Sequence, residues 1–271
     1  MPLYVKASIA CHVGAGVAIL ASPSQWPWAL GAVAANHLLL TGGGLWPRST
    51  WLGENWVRLP AAATAERGVA LTIDDGPDPE VTPRVLDLLD AHDLQATFFC
   101  IAARARRHPA LCREIVRRGH SVQNHTQRHS HRFSFQGPAA LASEIGEAQE
   151  TLADILGETP AFFRAPAGLR NPLLPLVLQR LGLRLVSWTR RGFDTRNGDA
   201  DAVLAALTRG LAAGDILLAH DGNAARTPAG RAVILDVLPR LAGALRAASL
   251  RTLTLPTAFA AAAPQALPQA A

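Results

Sequence analysis

The stretch VALTIDDGPDPE, residues 69–80, determines how the rest of the chain is interpreted. Its first five residues are apolar or β-branched, which predicts a buried β-strand over residues 69–73. Two adjacent carboxylates, Asp74 and Asp75, follow directly. Because like charges repel, such a pair needs a cation, a shared proton or solvent to relieve the repulsion. Taken alone, the stretch is equally consistent with an acidic turn ahead of a helix N-terminus.

Short β-branched or aromatic runs alternate with helical patterns along the rest of the chain. Six further runs predict strands: ATFFCI (96–101), HSVQN (120–124), AFFRA (161–165), LRLVSW (183–188), DILLAH (215–220) and RTLTL (251–255). Among the stretches between them, residues 82–90 and 137–156 predict helices. Strands that alternate with helices form parallel β-α units. The sequence therefore predicts an α/β fold, a distorted (β/α)7-type barrel of parallel strands.

Side chains capable of chemistry fall at the carboxyl ends of the predicted strands. Besides the aspartate pair, they are His125 and His129 after the third strand, Arg164 at the end of the fourth, Trp188 at the end of the fifth and His220 at the end of the sixth. Catalytic groups of parallel barrels gather at this end of the strands. We therefore expect these residues to share one rim of the barrel.

The segment NHTQRHSH, residues 124–131, predicts part of a metal site. His125 and His129 are four positions apart, so both point the same way on a helical turn or tight loop. Two imidazoles and a carboxylate with one open position form a frequent hydrolytic site for Zn²⁺ or a similar ion. One aspartate then binds the ion, and its neighbour takes a proton from the metal-bound water. The alternative is a polar, histidine-rich loop.

Two further residues are candidates for the chemistry. His220 ends the apolar run ILLAH and is suited to act as a general acid that protonates a leaving amine. The alternative for His220 is a structural histidine. Arg164 ends the run FFR and is suited to orient an aspartate, whereas the alternative is a surface cation.

Five motifs in the same order along the chain resemble the polysaccharide deacetylase family, the NodB homology domain of carbohydrate esterase family four. The resemblance covers residues 67–256. The first motif, T-F-D-D-G-P, reads TIDDGP at residues 72–77, and the second, H-S/T-x-x-H, is complete at residues 125–129. The third, R-x-P-aromatic-G, reads RAPAG at residues 164–168, with alanine in place of the aromatic residue. The fifth, an apolar run ending in histidine, is LLAH at residues 217–220.

The fourth motif differs most from the family pattern. The family has an aspartate shortly after the strand tryptophan that holds the arginine of the third motif, followed by Asp-Trp. Residues 188–195 read WTRRGFDT, which places Arg191 at the position of the first aspartate and Thr195 at that of the tryptophan. Asp194 keeps the second aspartate position. Whether Asp194 takes over the role of the first aspartate stays open at this point.

The resemblance implies a role for each matching residue. The ligands of a divalent ion, zinc or else Co, Ni or Mn, are Asp75, His125 and His129. The general base is Asp74, which is tuned by Arg164, and the general acid is His220. The backbone N–H of Ala167 joins the metal in stabilising the oxyanion. The resemblance further implies substrate contacts from Pro166, Trp188 and Asp194. The departures from the family pattern concern the substrate groove and the residues around the ligands, not the ligands themselves.

The composition favours a folded protein with a sizeable core and gives little support for nucleic-acid binding. Hydrophobic residues make up 49% of the 271 residues, enough for a sizeable core. The net charge of +5 comes almost entirely from arginine, since Lys6 is the only lysine. The most basic stretch, residues 104–118, has helical spacing and no interleaved aromatics, which predicts a solvated helix face. The three cysteines form an odd set without metal-type spacing, which argues against a disulfide framework.

Residues 7–47 contain no Asp, Glu, Lys or Arg. The apolar run 7–22 is short for a membrane-spanning helix, which needs about 20 residues, and also fits a signal-peptide core. The run 26–46 is long enough to span a membrane. We expect a membrane anchor, with a cleaved signal as the alternative. If it is a hairpin, Lys6 and Arg48 lie on one side, which the positive-inside rule makes cytoplasmic, whereas the family resemblance favours the cell envelope.

The predicted organisation has four parts. They are an apolar N-terminal anchor at residues 1–59, a helical hairpin or signal-anchor; a Pro/Ala-rich linker at 60–68; the deacetylase-type catalytic domain at 69–256; and a disordered Ala/Pro tail at 257–271.

The expected function is that of a metal-dependent, membrane-associated hydrolase. It removes N-acetyl groups from an amino-sugar glycan such as peptidoglycan or a chitin-like oligosaccharide. One alternative is a deacylase or deformylase of a lipid-linked amino sugar, and another is a non-catalytic, membrane-tethered glycan-binding protein. The expected partners are an N-acetylated carbohydrate and a membrane, with no nucleic acid.

Overall fold

The computed structural model describes residues 3–260. The helices are α1 (Leu3–Ala21), α2 (Trp26–Leu45), α3 (Ala61–Ala65), α4 (Thr82–Ala91), α5 (Ala102–Arg107), α6 (Pro109–Arg117), α7 (Pro138–Leu156), α8 (Leu174–Arg180), α9 (Ala200–Thr208), α10 (Ile234–Ala247) and α11 (Leu255–Ala260). The strands are β1 (Gly68–Asp74), β2 (Ala96–Cys100), β3 (Ser121–Asn124), β4 (Phe162–Phe163), β5 (Arg184–Leu185), β6 (Arg190–Arg191), β7 (Ile216–His220) and β8 (Arg251–Thr252).

The strands form one curled parallel sheet with helices packed against it, which confirms the predicted fold. Their order is β5-β4-β3-β2-β1-β7-β6, and β8 pairs with the first two residues of β1. Every pairing between these strands is parallel. The two-residue strand β6 was not predicted, because Arg190 and Arg191 carry no apolar or β-branched pattern.

The gap between the two ends of the sheet is partly closed by residues 56–59. Trp56 bridges to Val186 just after β5, and Arg58 bridges to Asp215 just before β7. The backbone N–H of Leu59 also donates to the carbonyl oxygen of Gly214. This segment therefore pairs with the barrel strands, although residues 1–59 were predicted to form the N-terminal anchor.

The alternation of side chains along β1 sorts them between two cores. Val69, Leu71 and Ile73 pack against the surrounding helices, whereas Ala70 packs inside the barrel. Successive strand residues point to opposite faces of a sheet. Thr72 and Asp74 therefore share the inner face with Ala70, which directs the first carboxylate of the aspartate pair into the barrel.

The first two helices form an antiparallel hairpin that exposes many apolar side chains. Among the residues of this segment, Asn36 donates a hydrogen bond to Ser8, and the rings of His12 and His37 pack edge to face. Helix α1 has no buried residue. Of the helices within residues 3–260, α1 is the one long and apolar enough to cross a membrane, and it is consistent with either an anchor or a signal sequence.

The end of the hairpin docks on the loop that follows β4. The backbone N–H of Arg170 donates to the carbonyl oxygen of Gly44 at 3.0 Å, and its buried guanidinium donates to the carbonyl oxygen of Ser49 at 2.7 Å. A Cβ atom on Gly44 would collide with the Arg170 carbonyl oxygen. The hairpin therefore contacts the barrel beside the rim where the predicted catalytic residues lie.

The predicted linker and tail both include helical residues. Helix α3 occupies most of residues 60–68, and β1 begins at Gly68. Residues 257–260, predicted to be part of the disordered tail, lie in α11. Ala258 and Phe259 pack into the core inside the barrel, which stabilises this helix. The remainder of the predicted tail, 261–271, lies outside the described residues.

Candidate active site

The aspartate pair lies at the carboxyl end of β1, an interior strand of the sheet that is paired on both sides. Asp74 is the last residue of β1 and is paired in register with Phe99 of β2 and His220 of β7. Asp75 has a positive φ of 74°, a conformation that non-glycine residues seldom adopt and that recurs at functional sites. This backbone turn gives the two adjacent side chains different surroundings, although both are buried.

Asp75 lies together with His125 and His129. The Oδ1 atom of Asp75 is 3.3 Å from Nε2 of His125 and 3.2 Å from Nε2 of His129. One ligand atom from each of the three residues lies within 4.8 Å of the others. The loop after β3 brings the two imidazoles to this point, and His129 also has a positive φ, of 54°. The set matches a three-ligand catalytic metal site that leaves a position open.

The hydrogen bonds of this cluster fit a divalent cation. Nδ1 of His125 donates to the carbonyl oxygen of Arg164 at 2.8 Å, which fixes the ring with Nε2 towards Asp75. Oδ1 of Asp75 is buried and has no hydrogen-bond partner among the described residues. A buried carboxylate oxygen without a hydrogen-bond donor is unfavourable unless a positive charge lies beside it. The donor set of one carboxylate and two imidazoles suits Zn²⁺ and similar ions.

The pKa shifts of Asp75 and His129 favour the protonation states in which these two groups bind metals. Burial and the charge of His125 lower the pKa of His129 to about 4, so its imidazole is neutral at pH 7. Burial alone would raise the pKa of Asp75, but the contact with His125 is the main effect that outweighs burial and holds that pKa below its usual value. A deprotonated carboxylate beside a neutral imidazole is the form in which both groups bind metals.

Asp74 is held by a buried arginine instead. Nη1 of Arg164 donates to Oδ1 of Asp74 at 2.7 Å and to Oγ1 of Thr72 at 2.7 Å. The guanidinium also donates to the carbonyl oxygens of Val186 and Ser187 and lies over the ring of Phe99. Burial lowers the pKa of Arg164 and Asp74 opposes that shift, but an arginine stays cationic in proteins. Arg164 therefore fixes one oxygen of Asp74, while Oδ2 lies 3.9 Å from Nε2 of His125.

His220 is held by Asp194. Nδ1 of His220 donates to Oδ1 of Asp194 at 2.8 Å, and the backbone N–H of His220 donates to Oδ2 at 2.7 Å. Burial alone would lower the pKa of His220, but the hydrogen bond and charge of Asp194 outweigh it and raise the pKa. Asp194 is itself buried and contacts His220 rather than Arg164. It therefore does not replace the missing aspartate of the fourth motif, because Arg164 is held by Asp74 and backbone carbonyls.

The third motif forms a tight turn at the wall of the site. Pro166 is buried, whereas Ala167 is exposed and has a positive φ of 53°. Gly168 has a φ of 73°, and a Cβ atom there would lie 2.6 Å from the Trp188 ring and 2.7 Å from Pro47. Glycine is therefore required at this position, where the turn passes between the tryptophan and the chain leaving the N-terminal hairpin.

Comparison with known proteins gives the same family as these motifs. The family model described as polysaccharide deacetylase matches residues 61–186. A peptidoglycan-N-acetylglucosamine deacetylase of Bacillus cereus is 33% identical over 178 residues, which cover 65% of this chain and 82% of that protein. A chitooligosaccharide deacetylase of Sinorhizobium fredii is 35% identical over 165 residues, covering 60% and 76% of the two chains.

A solved structure that resembles this chain is also a deacetylase of this kind. The Bc1960 peptidoglycan N-acetylglucosamine deacetylase, crystallised with a hydroxamate compound, superposes with a TM-score of 0.67 at 28% identity. The superposition covers 76% of this chain and 92% of that one. The chain belongs to the polysaccharide deacetylase family. Its relatives act on N-acetylated amino-sugar glycans, as their names state.

The deacetylase has a pocket of about 760 Å³ above the three-residue cluster. It is lined by predicted site residues, namely Asp74, Asp75, His125, His129, Ala167, Trp188 and His220. The buried residues Arg164, Pro166 and Asp194 lie behind this lining. The structure therefore brings the predicted site residues together at one rim. Most of them line the pocket, and the buried Arg164 and Asp194 bind the side chains of Asp74 and His220 from behind.

Polar residues that follow β7 were among those not predicted from the sequence. Asn223 donates from Nδ2 to Oδ2 of Asp75 at 3.0 Å. Asp221 is buried, accepts hydrogen bonds from Thr82 and the N–H of Gly222, and has its pKa raised to about 7 by burial. Both follow His220 directly in the sequence HDGN. Polar residues directly after a strand that ends at the rim are the signal that could have identified them.

Proposed function

We propose that this polysaccharide deacetylase is a metal-dependent hydrolase that removes N-acetyl groups from an amino-sugar glycan of the peptidoglycan or chitin-oligosaccharide type. The observation that carries the proposal is the arrangement of Asp74, which is bound to Arg164 and lies beside the cluster of Asp75, His125 and His129. Its relatives are peptidoglycan and chitooligosaccharide deacetylases, which supports the substrate class.

Asp75, His125 and His129 would hold the cation, with zinc as the expected ion and Co, Ni or Mn as alternatives. Bound there, the ion would polarise the amide carbonyl and lower the pKa of a water molecule. Asn223 holds the second oxygen of Asp75 in place through its side-chain amide. The ligand carboxylate is thereby oriented before any substrate arrives.

Asp74 is assigned the role of general base. Its Oδ1 is bound to Arg164, so Oδ2 is the atom that takes a proton from the attacking water. The water oxygen then bonds to the amide carbon, and the carbonyl oxygen takes up the negative charge. We assign the backbone N–H of Ala167 at the pocket wall to that oxygen.

His220 is assigned the role of general acid. Asp194 holds Nδ1, so Nε2 is left to donate its proton to the amide nitrogen as the C–N bond breaks. The products are acetate and the free amine of the sugar. A purely glycan-binding protein has no need for two buried pairs that each fix a proton-transfer group, and this favours catalysis over the non-catalytic alternative.

We also propose that the α1–α2 hairpin anchors the enzyme to a membrane. The exposed apolar side chains of the hairpin include Leu20, Trp28 and Leu38, which are 86%, 79% and 73% exposed. Burying such side chains in lipid instead of water is favourable. A membrane-bound enzyme would act on glycan at the membrane surface or in the cell envelope.

The test is acetate release from N-acetylglucosamine oligomers by the zinc-loaded full chain in detergent. We expect Asp74→Asn to lower kcat by a factor of about 10² to 10⁴ without loss of bound metal, because it removes the base but not a ligand. Asp154→Asn, at an exposed aspartate on α7 that does not line the pocket, is the matched control and should match the parent. Turnover by Asp74→Asn at the parental rate would refute the assignment of the base.

A further inference from the structure

The pocket of the proposed deacetylase carries more positive charge than an uncharged sugar requires. It is lined by two carboxylates, Asp74 and Asp75, and by five arginines, namely Arg104, Arg107, Arg128, Arg191 and Arg196. A cation bound at the three-residue cluster would add to that charge. Pockets lined by one sign of charge attract ligands of the opposite sign. The charge balance therefore points to an anionic group on the substrate.

Two of the five arginines are already engaged within the protein. Arg104 donates to the carbonyl oxygen of Asp75 at 2.8 Å and to Oδ1 of Asn223 at 2.9 Å. Arg128 pairs with Glu144 and Glu147, each at 3.2 Å. These contacts account for their positions without a ligand.

The other three arginines have no such partner. Within residues 3–260, the side chains of Arg107, Arg191 and Arg196 make no ion pair and no hydrogen bond. Arg107 is the last residue of α5, whereas Arg191 and Arg196 lie in β6 and in the turn that follows it. Three guanidinium groups from two parts of the fold thus line one pocket, and their N–H groups have no acceptor within residues 3–260.

Arg191 is the most constrained of the three. Its guanidinium carbon lies 5.4 Å from the ring centre of Trp188 and 5.0 Å from that of Phe193, so two aromatic rings limit its position. Its Nε atom is buried without a hydrogen-bond partner. Burial lowers the pKa of Arg191, whereas the charges of Asp194 and Asp74 oppose that shift without making an ion pair. A desolvated guanidinium without a paired anion is costly, and a ligand anion would remove that cost.

We propose that the N-acylated sugar carries a phosphate or diphosphate group, which Arg191 and Arg196 bind with help from Arg107. The inference rests on the proposed deacetylase function of the same site. Guanidinium groups pair with phosphate oxygens through two parallel hydrogen bonds. Phosphate is favoured over a single carboxylate because three unengaged guanidiniums offer more donors than one carboxylate can accept.

Such a phosphate has two chemical sources. One is a soluble sugar phosphate, and the other is the headgroup of a lipid that carries the sugar through a phosphate link. The second source is worth a separate arm of the test because Pro47, directly after the apolar hairpin, would meet a Cβ atom of Gly168 at 2.7 Å beside the pocket. The hairpin therefore leads the chain to the edge of the site.

The test compares acetate release by the zinc-loaded full chain in detergent from three substrates. They are methyl N-acetylglucosaminide, N-acetylglucosamine 1-phosphate and polyprenyl-diphosphate-linked N-acetylglucosamine. We expect kcat/KM to be at least tenfold higher for a phosphate-bearing substrate than for the methyl glycoside. In Arg191→Gln that ratio should fall at least tenfold, whereas Arg113→Gln, at an exposed arginine on α6, should keep the parental ratio.

The outcomes separate this inference from the proposed function. A faster reaction with the lipid-linked sugar identifies the lipid headgroup as the source, and an equal or faster reaction with the soluble phosphate identifies the free sugar phosphate. Equal rates for the methyl glycoside and both phosphates, or a ratio unchanged in Arg191→Gln, would overturn the inference and leave deacetylation intact. Failure to release acetate from all three substrates and from N-acetylglucosamine oligomers would overturn the proposed function itself.

Discussion

Asp74 and Asp75 are neighbours in sequence but have different partners. Asp74 accepts a hydrogen bond from the buried Arg164, whereas Asp75 faces two imidazoles and receives a hydrogen bond from Asn223. The arginine relieves the charge of one carboxylate, and a cation held by the histidines would relieve the other. The pair is thus tolerated because each member has its own positive partner. In this account the same division leaves one oxygen of Asp74 available for proton transfer.

The second proton-transfer residue gives a pH prediction. Asp194 raises the pKa of His220, and a general acid works only while it is protonated. Activity should therefore be lost as the pH rises through that pKa. Asp194→Asn removes the carboxylate, so the pKa falls and the basic limb of the kcat/KM profile should move to lower pH. The profile is measured by acetate release, and an unmoved basic limb would show that His220 is not the acid.

The sequence was enough to predict which residues form the core of the site, but it did not predict several of the contacts between them. The spacing of His125 and His129 and the position of His220 at the end of an apolar run predicted where these residues lie. The partner of Asp194 was not predictable, because Asp194 and His220 are 26 residues apart and meet only through the fold. Arg191 showed only a departure from the family pattern; its position between two rings required the structure.

Among the helices and strands, those with a clear apolar periodicity were predicted well, whereas short paired segments were missed. Helices α4 and α7 lie within one residue of the predicted bounds, because their apolar spacing and initial prolines are clear in the sequence. Strand β6 and residues 56–59 were missed, since both are held by backbone pairing with distant segments. Such pairing is set by the closure of the sheet and leaves little trace in local sequence.

The contact between the hairpin and the barrel gives a prediction with a matched control. Gly44→Ala should destabilise the full chain by about 1–3 kcal/mol, because the new methyl group collides with the carbonyl oxygen of Arg170. Gly42→Ala, in the same helix, meets nothing within 4 Å and should be neutral or slightly stabilising. Urea denaturation of both variants in detergent measures the difference. Equal stability of the two variants would mean that the helix end does not dock on this loop.

At the scale of the whole molecule, an apolar hairpin is joined directly to a polar catalytic barrel. The hairpin exposes its hydrophobic side chains, whereas the barrel buries its own in three clusters. The contacts of Arg170 and Gly168 link the two parts beside the pocket. We therefore expect the site to open close to the membrane surface if the hairpin is the anchor that we propose.

This arrangement predicts that the hairpin stays on the mature protein. A cleaved signal would remove α1, whereas an anchor keeps it in the chain. The intact mass of the protein isolated from membranes should include residues 3–21, and the protein should resist extraction by alkaline carbonate. Recovery of a soluble protein whose N-terminus lies beyond α1 would show that the segment is a signal sequence.

The central claim is that a divalent cation held by Asp75, His125 and His129 is required for amide hydrolysis. The most direct measurement is acetate release from N-acetylglucosamine oligomers by the full chain, stripped with a chelator and then titrated with zinc. We predict no activity in the stripped protein and a rise to a plateau at one equivalent of zinc, with no plateau for His129→Ala. Acetate release by the stripped protein at the rate of the zinc-loaded protein would contradict the account.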